Sequence, residues 1–337
     1  MKYSFRNDYN QVGHPLILEA LVKNASAINV GYGFDDISIN LEKKIQNLVK
    51  EKVSVYLLAG GTQTNMLTLS KILKPYEAVI SVKSGHIESH ETGAVEGSGH
   101  KIITVNGENG KVRASDILDV LALYNNPHMV KPRAVYISDS TEIGTVYKKE
   151  ELKELYKVCK KNDLYLFLDG ARLPIALTSS DNDMDLADIC EYTDAFYIGG
   201  TKNGMPLGEM LIIKDKYINE DFRYHLKNKG AMLSKTFMLA YMFDAYFEND
   251  LYLSLAKNSN SMAKYLREQL EEVGIEIAFP NNSNQVFVRL NNNLINVIKY
   301  DFDFEMWEEG KENSIIRLVT SFNTTKESID ALIEKLK

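Results

Sequence analysis

Short runs of apolar residues, each about the length of a β-strand, recur through the first two-thirds of the chain. They are Val53–Leu58, Ala78–Val82, Ile102–Val105, Ala134–Ile137, Leu164–Leu168, Ala195–Ile198 and Met210–Ile213. Between them apolar positions fall at helical spacing, as in Ile37, Leu41, Ile45 and Leu48, in Met66, Leu69 and Leu73, and in Leu152, Leu155 and Val158. A strand followed by a helix, repeated, predicts a mainly parallel sheet of seven strands with helices on both faces. Leu164–Leu168, apolar at every position, predicts its buried centre.

After about Lys214 the pattern changes to longer helical stretches, Met238–Phe247 and Met262–Leu270, then strands at Val286–Leu290 and Ile315–Val319 and a closing helix over Lys326–Leu336. This change predicts an α/β architecture in two parts. Residues 1–235 form an N-terminal segment and a large domain, and residues 236–337 a small C-terminal α+β domain.

Composition narrows the function classes. The net charge of −7 is modest and the two signs are interspersed, which argues against nucleic acid as a partner. No stretch is long enough to span a bilayer, and the amino terminus lacks an apolar segment of signal-peptide length. Cys159 and Cys190 both fall in helical patterns and offer neither a disulfide framework nor a metal motif, so a reducing cytoplasm is the expected location.

Candidate chemistry gathers where strands end. Asp194 to Ile198 runs into Gly199-Gly200-Thr201-Lys202, so the lysine leaves the carboxyl edge of a sheet on a loop of small residues. The loop also fits a plain turn. A lysine withdrawn from water has a lowered pKa, and its neutral amine can attack a carbonyl to form a Schiff base. Leu168-Asp169-Gly170-Ala171-Arg172 likewise follows a strand, and Asp169 could cap a helix or hold a cationic ring nitrogen. Gly60-Gly61-Thr62 opens a helix after Val53–Leu58 and offers backbone amides to a phosphate, to which Thr201 could add a hydroxyl. His86 and His90, with Glu91, crowd the loop after the next strand; without companion ligands nearby, no metal is expected there.

Tyr32-Gly33, Gly60-Gly61-Thr62, His86 with Glu91-Thr92-Gly93-Ala94, Asp169-Gly170-Ala171-Arg172, Thr201-Lys202 and Ile316-Arg317-Leu318 follow one another in an order that resembles the low-specificity threonine aldolases. These belong to the β-eliminating lyases, fold type I enzymes dependent on pyridoxal 5'-phosphate and similar in architecture to aminotransferases. The resemblance covers nearly the whole chain. It implies a lyase that cleaves β-hydroxy-α-amino acids, L-threonine or L-allo-threonine, to glycine and acetaldehyde. A β-eliminating lyase or aminotransferase acting on another amino acid is the alternative, and a catalytically inactive binding protein a third.

Position by position, the resemblance implies that Lys202 carries the cofactor, Asp169 pairs with the pyridine nitrogen and His86 stacks on the ring. It implies that Gly60, Gly61, Thr62 and Thr201 hold the phosphate, that Arg172 lies beside the cofactor and substrate, and that Arg317 takes the substrate carboxylate in a bidentate pair. It further implies a homodimer or homotetramer, with Tyr32 serving the neighbouring site. The departures are specific. Asn7 of Arg6-Asn7-Asp8 stands where the family has a serine near the substrate, and Lys235 is the substitute for a phosphate-binding arginine expected near Met232. Ser138-Asp139-Ser140-Thr141 puts Thr141 where a histidine is expected, which leaves the base as His86, His90, Glu91 or a water.

Overall fold

The computed structural model describes residues 3–337. After a short strand β1 (Tyr3–Ser4), the large sheet is built from β2 (Ser54–Leu58), β3 (Glu77–Val82), β4 (Lys101–Val105), β5 (Lys131–Ser138), β6 (Tyr165–Asp169), β7 (Ala195–Gly199) and β8 (Glu209–Ile213). Their spatial order is β2-β8-β7-β6-β5-β3-β4. All seven apolar runs are strands of this sheet, and β8 alone runs antiparallel, against both β2 and β7. An apolar run carries no sign of its direction, so periodicity could not single out β8.

Alternation along each strand divides the core between the two faces. Val135 and Ile137 of β5 and Phe196 and Ile198 of β7 join one apolar cluster, which includes Leu155 and Leu239 from helices. Ala134, Tyr136, Ala195 and Tyr197 point the other way, into a cluster with Leu67 and Phe222. Each fully buried Ile or Leu here contributes roughly 1.5–3 kcal/mol. At the carboxyl ends β6 and β7 approach so closely that a Cβ on Gly170 would lie 1.8 Å from the Tyr197 carbonyl oxygen, and one on Gly199 would lie 2.3 Å from that of Ala171. Only glycine permits that approach.

The second sheet contains β9 (Glu276–Ile277), β10 (Gln285–Asn291), β12 (Glu305–Glu308) and β13 (Asn313–Val319) in the order β12-β13-β10-β9, wholly antiparallel. Helices Leu251–Glu272 and Lys326–Leu336 cover it through Leu266, Leu270, Leu332 and Leu336. β11 (Phe302–Asp303) pairs with β1, and Phe5 is buried in the same cluster, its carbonyl accepting from Val319 N at 2.7 Å. The amino-terminal strand is thus tied to the small sheet, and the chain then turns toward the large one. β1, β9, β11 and β12 are two to four residues long, too short for a periodic signal. No helix among the described residues is long and apolar enough to cross a membrane.

Candidate active site

Parallel strands deliver their carboxyl ends to one edge, and a cleft lies there. Gly60–Thr62 follow β2, His86 follows β3, Ser138 ends β5 with Ser140 and Glu142 just beyond it, Asp169 ends β6 and Lys202 follows β7. Because β8 runs backwards, its first residue, Glu209, pairs with Gly199 and Leu58 and reaches the same edge. These residues line an inner cavity of about 280 Å³. A smaller outer one of about 200 Å³ adds His90, Glu305, Trp307 and Arg317.

Lys202 sits in a tightly turned loop. Asn203 N donates to Gly200 O at 2.9 Å, and the buried Asn203 side chain donates to Tyr246 Oη at 2.6 Å and Tyr252 O at 2.8 Å, anchoring the loop to the helices beyond. Burial, helped by the nearby Arg172 guanidinium, lowers the Lys202 pKa against the opposing pull of Asp8, Asp169 and Glu209. Thr201 Oγ1 accepts from Gly208 N at 3.0 Å.

Asp169 is buried and receives four donors. Asn65 Nδ2 at 2.8 Å and Tyr136 Oη at 2.5 Å reach Oδ2, while Tyr197 Oη at 2.5 Å and Ala171 N at 2.9 Å reach Oδ1. Burial alone would raise this carboxyl. His86 and the two phenols outweigh it and hold Asp169 below the usual carboxylate range. The same Asn65 Nδ2 lies 2.7 Å from Glu91 Oε1, which is 2.8 Å from His86 Nδ1. Glu91 is therefore buried behind the imidazole and orients it, rather than lining the cavity.

Asp8 grips Arg172 with both oxygens, at 2.7 and 3.1 Å, and takes a third hydrogen bond from Asn284 at 2.9 Å. On β13, Arg317 donates to Gln285 Oε1 at 3.0 Å, pairs with Glu305 and faces the Trp307 ring at 5.3 Å, while its Nε has no partner. Burial and the positive charge of Arg172 lower its pKa. The structure thus brings Lys202, Asp169, His86, Arg172, Gly60, Gly61, Thr62 and Thr201 to one cavity, with His90 and Arg317 at its mouth.

Asn7, Tyr32 and Lys235 lie elsewhere. Asn7 Oδ1 accepts from Tyr9 N at 3.1 Å, and its neighbour Asp8 is the residue that reaches the site. Tyr32 is 39% exposed on a left-handed turn whose N–H donates to Ser234 O at 3.0 Å, which brings it beside the exposed Lys235. Thr141 is buried and turned to Thr145, with Oγ atoms 2.7 Å apart. Sequence reasoning passed over Asp8, Asn65, Glu142, Tyr197 and Glu209. Asp8 alone carried a signal, as the acid next to Asn7.

The residues present fit pyridoxal phosphate. No side chain caps the helix Gly61–Ile72, so its first amides open into the cavity, and a Cβ at Gly60 would meet nothing within 4 Å. Space for a phosphate thus lies at a positive helix end, with an ionised carboxylate and a partly desolvated amine in the same cavity. Among the described residues no cluster of His, Cys, Asp or Glu could hold a metal ion.

Comparisons with known proteins give the family and the fold. The β-eliminating lyase family model matches residues 6–293. The low-specificity L-threonine aldolase of Pseudomonas aeruginosa is 31% identical over 80% of this chain and 78% of that protein. The solved threonine aldolase of Leishmania major is 42% identical, covering 99% of this chain and 98% of that one, with a TM-score of 0.97. An aspartate aminotransferase of Thermus thermophilus, 13% identical over 99% of this chain and 91% of that one, shares the fold with a TM-score of 0.73. The chain belongs to the β-eliminating lyase family, whose members work through pyridoxal phosphate.

Proposed function

We propose that the protein cleaves β-hydroxy-α-amino acids, L-threonine or L-allo-threonine among them, to glycine and an aldehyde. The observation that carries this reading is the shared outer cavity, where the Lys202 amine and the Arg317 guanidinium line one space beside His86. Relatives named as low-specificity L-threonine aldolases support the same reaction.

Bound in the inner cavity, pyridoxal phosphate supplies an electron sink for the bond that breaks at Cα. Lys202, its amine neutral more readily than an exposed lysine, would carry the covalent link to it. Asp169, held ionised by Asn65, Tyr136 and Tyr197, would keep a proton on the ring nitrogen. Gly60, Gly61, Thr62 and Thr201 would hold the phosphate, and His86, oriented by Glu91, would cover the ring. Arg317 fixes the substrate carboxylate, so that the Cα–Cβ bond is the one presented for cleavage. Arg172, neutralised by Asp8, adds directional donors without adding net charge.

The active form in this reading is a homodimer or homotetramer in the cytoplasm. Ile28 is fully exposed, and Val30 and Phe34 are 77% and 61% exposed, all in the stretch of chain that carries Tyr32. That apolar corner supports a second copy packing there and receiving Tyr32 near its own cleft. Two buried free cysteines suit a reducing compartment. The test is to supply the loaded enzyme with L-threonine and L-allo-threonine and to assay products. Acetaldehyde with equimolar glycine is expected; ammonia with a keto acid would move the assignment to β-elimination.

A further inference from the structure

Five residues, Tyr9, His86, Glu142, Arg172 and Lys202, line both the inner and the outer cavity and so mark the junction where substrate meets cofactor. Most of their polar groups are committed. Lys202 would carry the covalent link, Arg172 is held by Asp8, and His86 Nδ1 is held by Glu91. Glu142 differs. It is 9% exposed, its Oε1 accepts from Ser138 Oγ at 2.7 Å and His86 N at 3.0 Å, and its Oε2 is buried with no hydrogen-bond partner. A buried carboxylate oxygen without a donor is costly, and at the junction of two cavities a catalytic role accounts for its retention.

We propose that Glu142 is the catalytic residue that accepts the β-hydroxyl proton of the substrate, through Oε2. This rests on the aldol-cleavage reading above. The hydroxyl O–H proton passes to Oε2, the oxygen's electron pair becomes the carbonyl of the departing aldehyde, and the Cα–Cβ electron pair stays with the amino acid half. Cα regains one proton to complete glycine, so the proton lost by the hydroxyl is balanced. Ser138 and the His86 amide hold the other oxygen, which fixes the direction of Oε2. Burial raises this carboxyl against the Ser138 hydrogen bond, so it takes up a proton more readily than an exposed glutamate. Thr141, the residue standing where a histidine was expected, faces Thr145, and its neighbour Glu142 provides the base instead.

Two reactions of the loaded enzyme separate this role from a structural one. Exchange of the glycine α-hydrogen with deuterated water, followed by NMR, needs the cofactor and the carboxylate clamp but no hydroxyl base. Glu142→Gln should lower kcat for L-threonine cleavage roughly 10²–10⁴-fold, with KM and glycine exchange within about threefold of wild type. Glu142→Asp keeps the charge but withdraws it by a methylene, and should lower cleavage at least about tenfold while sparing exchange, so either variant that folds decides the matter. Unchanged cleavage overturns the proposal. So does a parallel loss of both reactions, which would make Glu142 a support for His86. Wild-type enzyme that exchanges glycine but releases no aldehyde from any β-hydroxy amino acid overturns the aldol reading, and this assignment with it.

Discussion

Asp8 holds Arg172 through both carboxylate oxygens, at 2.7 and 3.1 Å, across 164 positions of sequence, with both side chains buried. Removing one partner leaves a buried charge uncompensated, so Asp8→Ala should lower unfolding stability by about 3–5 kcal/mol in urea melts. Burial would raise the Asp8 carboxyl, but Arg172 and Lys202 pull it below its ordinary value. A depressed folded pKa stabilises above the unfolded value and loses that contribution as pH falls through the acid range. The gap between wild type and Asp8→Asn should therefore be full at neutral pH and shrink below about pH 4.

Asp139 predicts the opposite slope. It is 1% exposed, and burial pushes its carboxyl from the ordinary 3.8 up to about 8, the hydrogen bond from Tyr147 N being a smaller opposing effect. Folding favours its protonated form, so this contribution is full at acid pH and fades as pH rises toward 8. Asp139→Asn should match wild type near pH 4 and exceed it in unfolding free energy from urea melts near pH 9, by roughly 1.4 kcal/mol for each pH unit that separates the folded and unfolded pKa values of the wild-type carboxyl. A wild-type midpoint that does not fall relative to the variant would refute this.

One amide nitrogen, Asn65 Nδ2, serves both Glu91 and Asp169. Asn65→Ala leaves two buried carboxylates without a shared donor and should cost about 1–3 kcal/mol of stability and reduce kcat/KM. Asn65→Asp should be worse on both counts, since it adds a third acid. Urea melts and the aldehyde assay distinguish the two variants.

Gly60 tests the phosphate cradle. Its backbone is extended and a methyl there meets nothing within 4 Å, so Gly60→Ala should fold as well as wild type. The methyl occupies cavity space, and the apoprotein should bind pyridoxal phosphate at least about tenfold more weakly in a spectral titration. Equal affinity would place the phosphate elsewhere.

Lys202→Ala should lack the visible band that borohydride abolishes in wild type, while keeping the same melting temperature within a few degrees. With the lysine pKa lowered, apoprotein should capture the cofactor faster as pH rises and reach its plateau below the ordinary lysine range of about 10.4. A rate still climbing above that range would contradict a desolvated amine.

Much of the large sheet was legible because its strands are apolar runs of uniform length, with Lys202, Asp169 and Gly60 each just past one. Their positions follow from topology alone, since parallel strands share one carboxyl edge. The supporting polar residues were not legible, for reasons that differ. Asn65 lies inside the helix Gly61–Ile72, where helical periodicity marks a face but not which polar residue turns inward. Tyr136 and Tyr197 read as ordinary strand residues, and only the sheet's alternation sends both hydroxyls to Asp169. Asp8 depends on β1 being tied to the far sheet, a pairing two residues long. Glu142 was hidden by its neighbour, because the position of the expected histidine falls on Thr141.

The reversed direction of β8 makes one loop's length a chemical parameter. Glu209 stands at the cleft only while β8 keeps its register with β2 and β7, and the segment from Asn203 to Gly208 sets where that register begins. A slip of one residue would present Met210 in place of Glu209 and turn every β8 side chain to the opposite face. Insertions here are thus constrained as tightly as substitutions in the cleft itself, although the segment carries none of the proposed reacting groups.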